Sequence, residues 1–324
     1  MVRTSLSNYN QGVMKKVLES ARWVMEHAEH VTIDEEALRR SARELAQQSL
    51  SFAWDGLHFR DGTERTVQYL FVLDSLNFCF WPEPRWRYRN VDGYVALATA
   101  LKDAVVRGDR ILDAAFLAQI DRAKLHEILD GENEIPLLEE RVSVLREAGA
   151  VLQKKYNGQA ARLVERAGRS AVRLVELLAR DFSSFRDEAL YRGRRVYFYK
   201  RAQIFCADLY GAFEGRRWGE FGDIDELTAF ADYKVPQVLR QMGILRYSPE
   251  LSSRIDRREE LLSGSPQEIE IRAGTIWAVE LLKRELEQLG KRLRSFELDW
   301  LLWNLGQQEE FRQRPYHRVR TIYY

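Results

Sequence analysis

Phe230-Ala-Asp-Tyr-Lys-Val-Pro-Gln-Val-Leu-Arg-Gln-Met-Gly243 reads as a short helix with a carboxylate at its entrance. Asp232 is the residue type that accepts the unpaired amide hydrogens of a first turn. Val235, Val238, Leu239 and Met242 recur at helical spacing, and Gly243 supplies the stop. A helix N-terminus orients such a carboxylate and favours its ionised form, so Asp232 is suited to stabilise a positive charge developing beside it. Breaking an N-glycosidic bond develops such a charge on the sugar. The plainer reading, in which Asp232 only caps its helix, stands beside this one until the rest of the chain is weighed.

Helical signals extend outward from this stretch in both directions. Thr32-Ile-Asp-Glu35 reads as a capping box opening a helix to Gln48, and apolar residues recur at helical spacing over 92–107, 137–156, 160–180, 187–213, 267–289 and 296–305. Only seven prolines interrupt them. Strand signals are confined to Leu57–Trp81, where Val67-Gln-Tyr-Leu-Phe-Val-Leu73 is short and β-rich, although a buried helix fits that run equally. The expected fold is all-α or nearly all-α, with a few short strands near residues 55–90. The charged run Ser252–Glu260 reads as a solvated loop or helix face. No repeat or low-complexity linker divides the chain. Residues 1–324 are read as a single helical domain, or as two packed lobes with Asp232 at the cleft between them.

A chain of 324 residues buries roughly three quarters of its unfolded surface, enough to enclose a pocket. The 50 Lys and Arg are interleaved with 49 Asp and Glu, for a formal charge of +1. Duplex affinity rests largely on phosphate neutralisation, so this balance argues against a nucleic-acid polymer as partner while leaving room for a small nucleotide. Cys79 and Cys206 lie in apolar runs and read as buried thiols. With the histidines at 27, 30, 58, 126 and 317 they spell no metal-ligand spacing, so no metal and no cofactor are expected. The N-terminal Met1-Val-Arg-Thr-Ser-Leu-Ser7 lacks an export signal and no stretch reaches the ~20 apolar residues of a membrane span. A cytoplasmic monomer without membrane contact is expected.

The Asp232 segment resembles the last helix of helix-hairpin-helix DNA glycosylases, where an Asp opens the helix and faces the sugar. Lys200 lies upstream as a lysine does in some branches of that superfamily. The Gly-x-Gly turn with which those enzymes grip DNA is missing. Four separated segments, Asp74-Ser-Leu-Asn-Phe-Cys-Phe-Trp81, Phe198-Tyr-Lys-Arg-Ala-Gln203, Phe230-Ala-Asp-Tyr-Lys-Val-Pro236 and Glu297-Leu-Asp-Trp-Leu-Leu-Trp303, resemble the queuosine salvage proteins. The arginine-rich end His317-Arg-Val-Arg-Thr-Ile-Tyr-Tyr324 fits too, so the resemblance runs from about Leu50 to Tyr324. It implies a glycosylase-like fold and hydrolysis of the free nucleotide queuosine 5′-phosphate to the base queuine. Two rival readings remain: a DNA or RNA base-excision enzyme, and a non-enzymatic helical module that binds a nucleoside or a protein.

The candidate site residues follow. Asp232 would stabilise an oxocarbenium-like centre and orient or deprotonate water. Lys200 closes the aromatic string from Tyr197 and reads as a partly buried ammonium that needs an anion, Asp208 or a phosphate; an electrostatic role is favoured over a Schiff base. Phe230, two residues before Asp232, reads as a hydrophobic staple, and the resemblance assigns it to stacking on the base. Asp299 and Trp303 are four apart, which puts a carboxylate and an aromatic plane on one helix face. The carboxylate is suited to accept both donors of a guanine-like edge. His58 reads as structural on its own and, through the resemblance, as a hydroxyl or phosphate contact. Asn77, polar in an apolar segment, reads as structural support or a base contact. Lys234 joins Lys200 as a candidate for the 5′-phosphate, with Arg201 and the C-terminal arginines behind them.

Overall fold

The computed structural model describes residues 12–47 and 56–324. The N-terminal stretch 1–7, the expected helix end at Gln48 and the Trp54-Asp55 turn before His58 lie outside the described residues. Among those described, fourteen α-helices carry the fold and strands occur only in two-stranded pairs, so the nearly all-α expectation holds. No helix among them is long and apolar enough to cross a membrane.

The chain runs through α1 (Val13–Glu26), β1 (Val31–Ile33) and α2 (Glu35–Ala46). Thr32 does not cap α2 as the sequence suggested. It is paired in β1, and Asp34 takes over the cap, its Oδ1 accepting from the Ala37 amide at 2.8 Å. Next comes α3 (Glu64–Ser75), which contains the run read as strand-like. Every residue from Thr66 to Ser75 is buried, so this helix needs apolar groups all round and shows no stripe to distinguish it from a core strand. The hairpin β2 (Arg87–Tyr88) and β3 (Val91–Asp92) supplies the short strands expected in this region, and α4 (Gly93–Arg107), α5 (Ala114–Leu117), α6 (Arg122–Leu129) and α7 (Leu138–Tyr156) follow.

Two expected helices are broken. Residues 160–180 form α8 (Ala160–Arg166) and α9 (Ala171–Asp181), separated by Gly168 at φ +64° and restarted by the Ser170 hydroxyl, which caps α9. Residues 187–213 hold the antiparallel hairpin β4 (Glu188–Tyr191) and β5 (Arg194–Tyr197) before α10 (Lys200–Ala212). Its two-residue turn, Arg192 and Gly193 at φ +48° and +78°, has the left-handed pair that tight hairpins require. The chain ends with α11 (Lys234–Gln241), β6 (Leu245–Tyr247), α12 (Pro249–Asp256), β7 (Glu260–Leu261), α13 (Pro266–Gln288), α14 (Ser295–Leu305) and β8 (Arg318–Val319). β6 pairs antiparallel with β1, and β8 pairs parallel with β7.

The buried apolar residues sort into two large clusters. One gathers α1 and α3 to α10 around residues such as Val17, Leu70, Phe71, Leu97, Leu145, Leu174 and Phe205. The other gathers α2, α11, α12 and α14 around Leu38, Val238, Leu239, Leu251, Leu298 and Leu302. Helix α13 serves both, with Ile269, Ala273 and Ile276 in the first and Ile271, Val279, Leu282 and Leu286 in the second. A small third cluster of Phe78, Cys79, Trp81 and Val144 packs against Tyr233 and Tyr316. Both cysteines are buried free thiols, as their apolar runs suggested.

Candidate active site

Where these clusters meet, a cavity of about 490 Å³ is lined by His58, Asn77, Lys200, Phe230, Asp232, Lys234, Asp299 and Trp303. All eight residues singled out in the sequence thus line one space, although they span α10, α11, α14, the loops on either side of α3 and the loop before α11. The volume lies within the usual range for small-molecule sites.

Asp232 precedes α11 by two residues, and its Oδ1 accepts from the amides of Lys234 and Val235 at 2.9 Å each. It therefore caps the helix as the sequence suggested, from one residue before Tyr233, which holds the N-cap position. The sequence suggested that the helix end keeps this carboxylate ionised. Burial works against that and raises its pKa above the ordinary value, opposed first by the Lys200 ammonium and then by the two amides. Lys200 is the largest of the influences that favour the ionised form of Asp232.

Lys200 opens α10 behind Tyr199, which turns the chain at φ +51°. Its ammonium donates to the Asn77 carbonyl at 3.1 Å, and its backbone amide to Asp187 at 3.2 Å. Burial pulls its pKa down to about 8; Asp232 is the strongest opposing influence, with Asp74 and Asp299 adding to it. Asp208, the protein partner offered by the sequence, is not among the leading ones. The Asn77 carbonyl belongs to a row of main-chain acceptors at the C-terminal end of α3. Arg201 donates to the carbonyls of Asp74 and Ser75, and Arg141 to those of Leu76 and Phe78. Cations gather there because the last carbonyls of a helix have no partner within it. Asn77 supports Lys200 through its backbone carbonyl and lines the cavity.

Asp299 is almost fully buried on α14, and its Oδ1 accepts from the Phe230 amide at 2.8 Å. Burial and then the neighbouring Asp232 push its pKa well above the carboxylate range. Burial and Asp232 thus both oppose ionisation of Asp299, and one of its oxygens is already engaged by the Phe230 amide. The sequence pictured an ionised group with both oxygens open. Trp303, one turn on, meets Tyr94 edge to face at 6.1 Å between ring centroids, and the Tyr94 hydroxyl lies 2.7 Å from His58 Nε2. His58 and Tyr94 thus stand in the cavity wall as a hydrogen-bonded pair.

Lys234 is held by Gln237 Oε1 at 3.4 Å and the Gly306 carbonyl at 3.3 Å. Burial and the nearby Arg312 lower its pKa to about 8. Arg312 and Arg85 also line the cavity, so three cations stand near the Asp232 side of it. Arg312, Tyr94 and Trp300 were not singled out as site residues. Trp300 and Asn304, one turn apart, follow the helical spacing already noticed in α14 and were findable. Tyr94 and Arg312 carry no local signal, since only the fold brings them in.

A family model described as queuosine salvage protein matches residues 57–324. The chain is 51% identical over 314 residues to a queuosine 5′-phosphate N-glycosylase/hydrolase of Sphaerobacter thermophilus, covering 95% of this chain and 97% of that protein. It is 38% identical over 330 residues to the protein of that name from Mus musculus, covering 94% and 98% of the two chains. Against the protein of the same name from Dictyostelium discoideum it is 37% identical over 323 residues, covering 95% and 98%.

Proposed function

The chain belongs to the queuosine salvage protein family, and on that premise we propose that it hydrolyses queuosine 5′-phosphate to queuine and ribose 5-phosphate. The C1′–N bond breaks, its electron pair leaves with the base, and the base nitrogen is reprotonated. Water adds its oxygen to C1′ and gives up a proton. Asp232, raised in basicity by burial and steadied by Lys200, faces the developing oxocarbenium centre and takes that proton. Lys200 acts electrostatically. The base lies between Phe230 and Trp303 and is read by Asp299, while Asn77 and His58 with Tyr94 complete the wall. Queuine is a deazaguanine and lacks the ring nitrogen by which purine leaving groups are protonated, so stabilisation of the cation carries more of the barrier.

The 5′-phosphate is assigned to Lys234 and Arg312, which repel each other and gain by sharing a dianion. No metal or cofactor enters the scheme. The enzyme is taken to be one domain whose two apolar clusters flank the site, acting as a cytoplasmic monomer. The base-excision and non-enzymatic readings are not favoured by the relatives.

The observation that supports this reading best is the convergence of Asp232, Lys200, Phe230, Asp299 and Trp303 on a single nucleotide-sized cavity. Chromatographic detection of queuine from queuosine 5′-phosphate tests it. Asp232→Asn can still cap α11, so it should stay folded and bind substrate while kcat falls roughly 10²- to 10⁴-fold. Turnover near the wild-type rate would reduce Asp232 to a cap.

A further inference from the structure

Arg272, on α13, is 2% exposed and does not line the cavity, yet it is joined to both segments that do the chemistry. Its guanidinium grips Asp187 with two parallel bonds, at 2.8 and 2.6 Å, and its Nε donates to the Ala231 carbonyl at 3.0 Å. Ala231 is the residue before Asp232. Asp187 Oδ2 in turn accepts from the Lys200 amide at 3.2 Å, and the Asp187 carbonyl accepts from the amides of Phe198 and Tyr199 at 3.0 and 3.3 Å. The rings of Phe198 and Tyr324 pack on the guanidinium, their centroids 3.9 and 4.4 Å from its carbon.

A buried ion pair is a poor way to gain stability, because desolvation cancels most of the attraction. A planar fork that satisfies a carboxylate and a carbonyl together fixes directions instead. Here the fixed directions are those of the backbone at Ala231 and at Lys200. We propose that Asp187 and Arg272 form a positioning clamp that holds Asp232 and Lys200 in register across the cavity and thereby sets kcat without touching substrate. This rests on the reaction proposed above.

Arg272→Lys tests it, since the ammonium keeps the charge but cannot hold Asp187 and the Ala231 carbonyl in one plane. The expected result is a kcat reduced about 30- to 100-fold, because ångström-scale misplacement of a reacting group costs on that order. KM and queuine affinity should stay within about threefold. As Asp232 drifts from Lys200 it loses the cation that lowers its pKa, so the acid limb of the kcat profile moves to higher pH. Amide hydrogen exchange at Lys200 should also quicken, a readout that needs no activity. A wild-type enzyme that releases no queuine overturns the proposed reaction, while faster exchange at Lys200 in the variant would still support the clamp. Unchanged kcat and exchange in the variant, or a kcat loss matched by the loss of folded protein, would overturn the clamp. If Arg272→Lys fails to fold, the charge-neutral pair Asp187→Asn with Arg272→Gln takes its place with the same readouts.

Discussion

At the scale of single residues, the buried carboxyls dominate the behaviour of the site. Asp299 starts with a raised pKa and meets a ligand edge that offers two donors, which favour its ionised form. Binding queuine should therefore release a proton. Affinity rises with pH between the bound and free pKa values, by at most tenfold per unit, and is flat above the free value. Calorimetry in buffers of different ionisation enthalpy measures the release, and Asp299→Asn should abolish it. Arg312 bears on the other end of the substrate. Arg312→Ala should raise KM for the 5′-phosphate about 10- to 100-fold, as expected for loss of a charged hydrogen bond, and leave the constants for the nucleoside unchanged. An equal effect on both substrates would remove Arg312 from the phosphate site. The residues legible in the sequence were those in family-like segments or at helical spacing, such as Asp232, Asp299 and Trp303. The protonation of the two carboxyls was not legible, because it depends on burial and on neighbours such as Lys200 that are remote in the chain.

At the scale of elements, apolar spacing located α4, α7, α13 and α14 to within a residue at each end, and α11 was marked by an apolar stripe between the Asp232 cap and Gly243. Where the reading stayed open or failed, there is a physical reason. From Thr66 to Ser75 α3 is buried all round, so helix and strand read alike there, and the 187–213 run keeps a helical rhythm across a hairpin whose turn is betrayed only by Gly193. One contact between elements makes a clean test. A Cβ on Gly149 of α7 would lie 2.5 Å from the Ala114 carbonyl and closer still to the Ala118 amide, where α5 crosses. Backbone cannot move aside as a side chain can, so Gly149→Ala should cost about 1–3 kcal/mol, seen as a shifted urea midpoint. Activity per folded molecule should not change. A stability equal to wild type would mean that α5 is free to retreat.

At the scale of the whole molecule, α13 contributes to both large clusters, so neither can lose its packing without disturbing the other. Unfolding followed by tryptophan fluorescence and by far-ultraviolet circular dichroism should therefore give one coincident transition. Queuine at a hundred times its dissociation constant should stabilise the fold by about 2.7 kcal/mol. Two separate transitions would mean two independent lobes. Helix α13 runs for 23 residues with its proline at the first turn and a lone glycine, Gly274, inside it, wedged against Val31, Leu245 and Met25. A spar of that kind, roughly 35 Å long, has no joint at which to fold. The elements of both clusters that pack on it, α11 and α14 of the cavity wall among them, are thus bolted to a common beam, which argues against jaw-like opening. Substrate must slip in past side chains that turn aside, and a crystal of the empty protein should survive soaking with queuine without cracking.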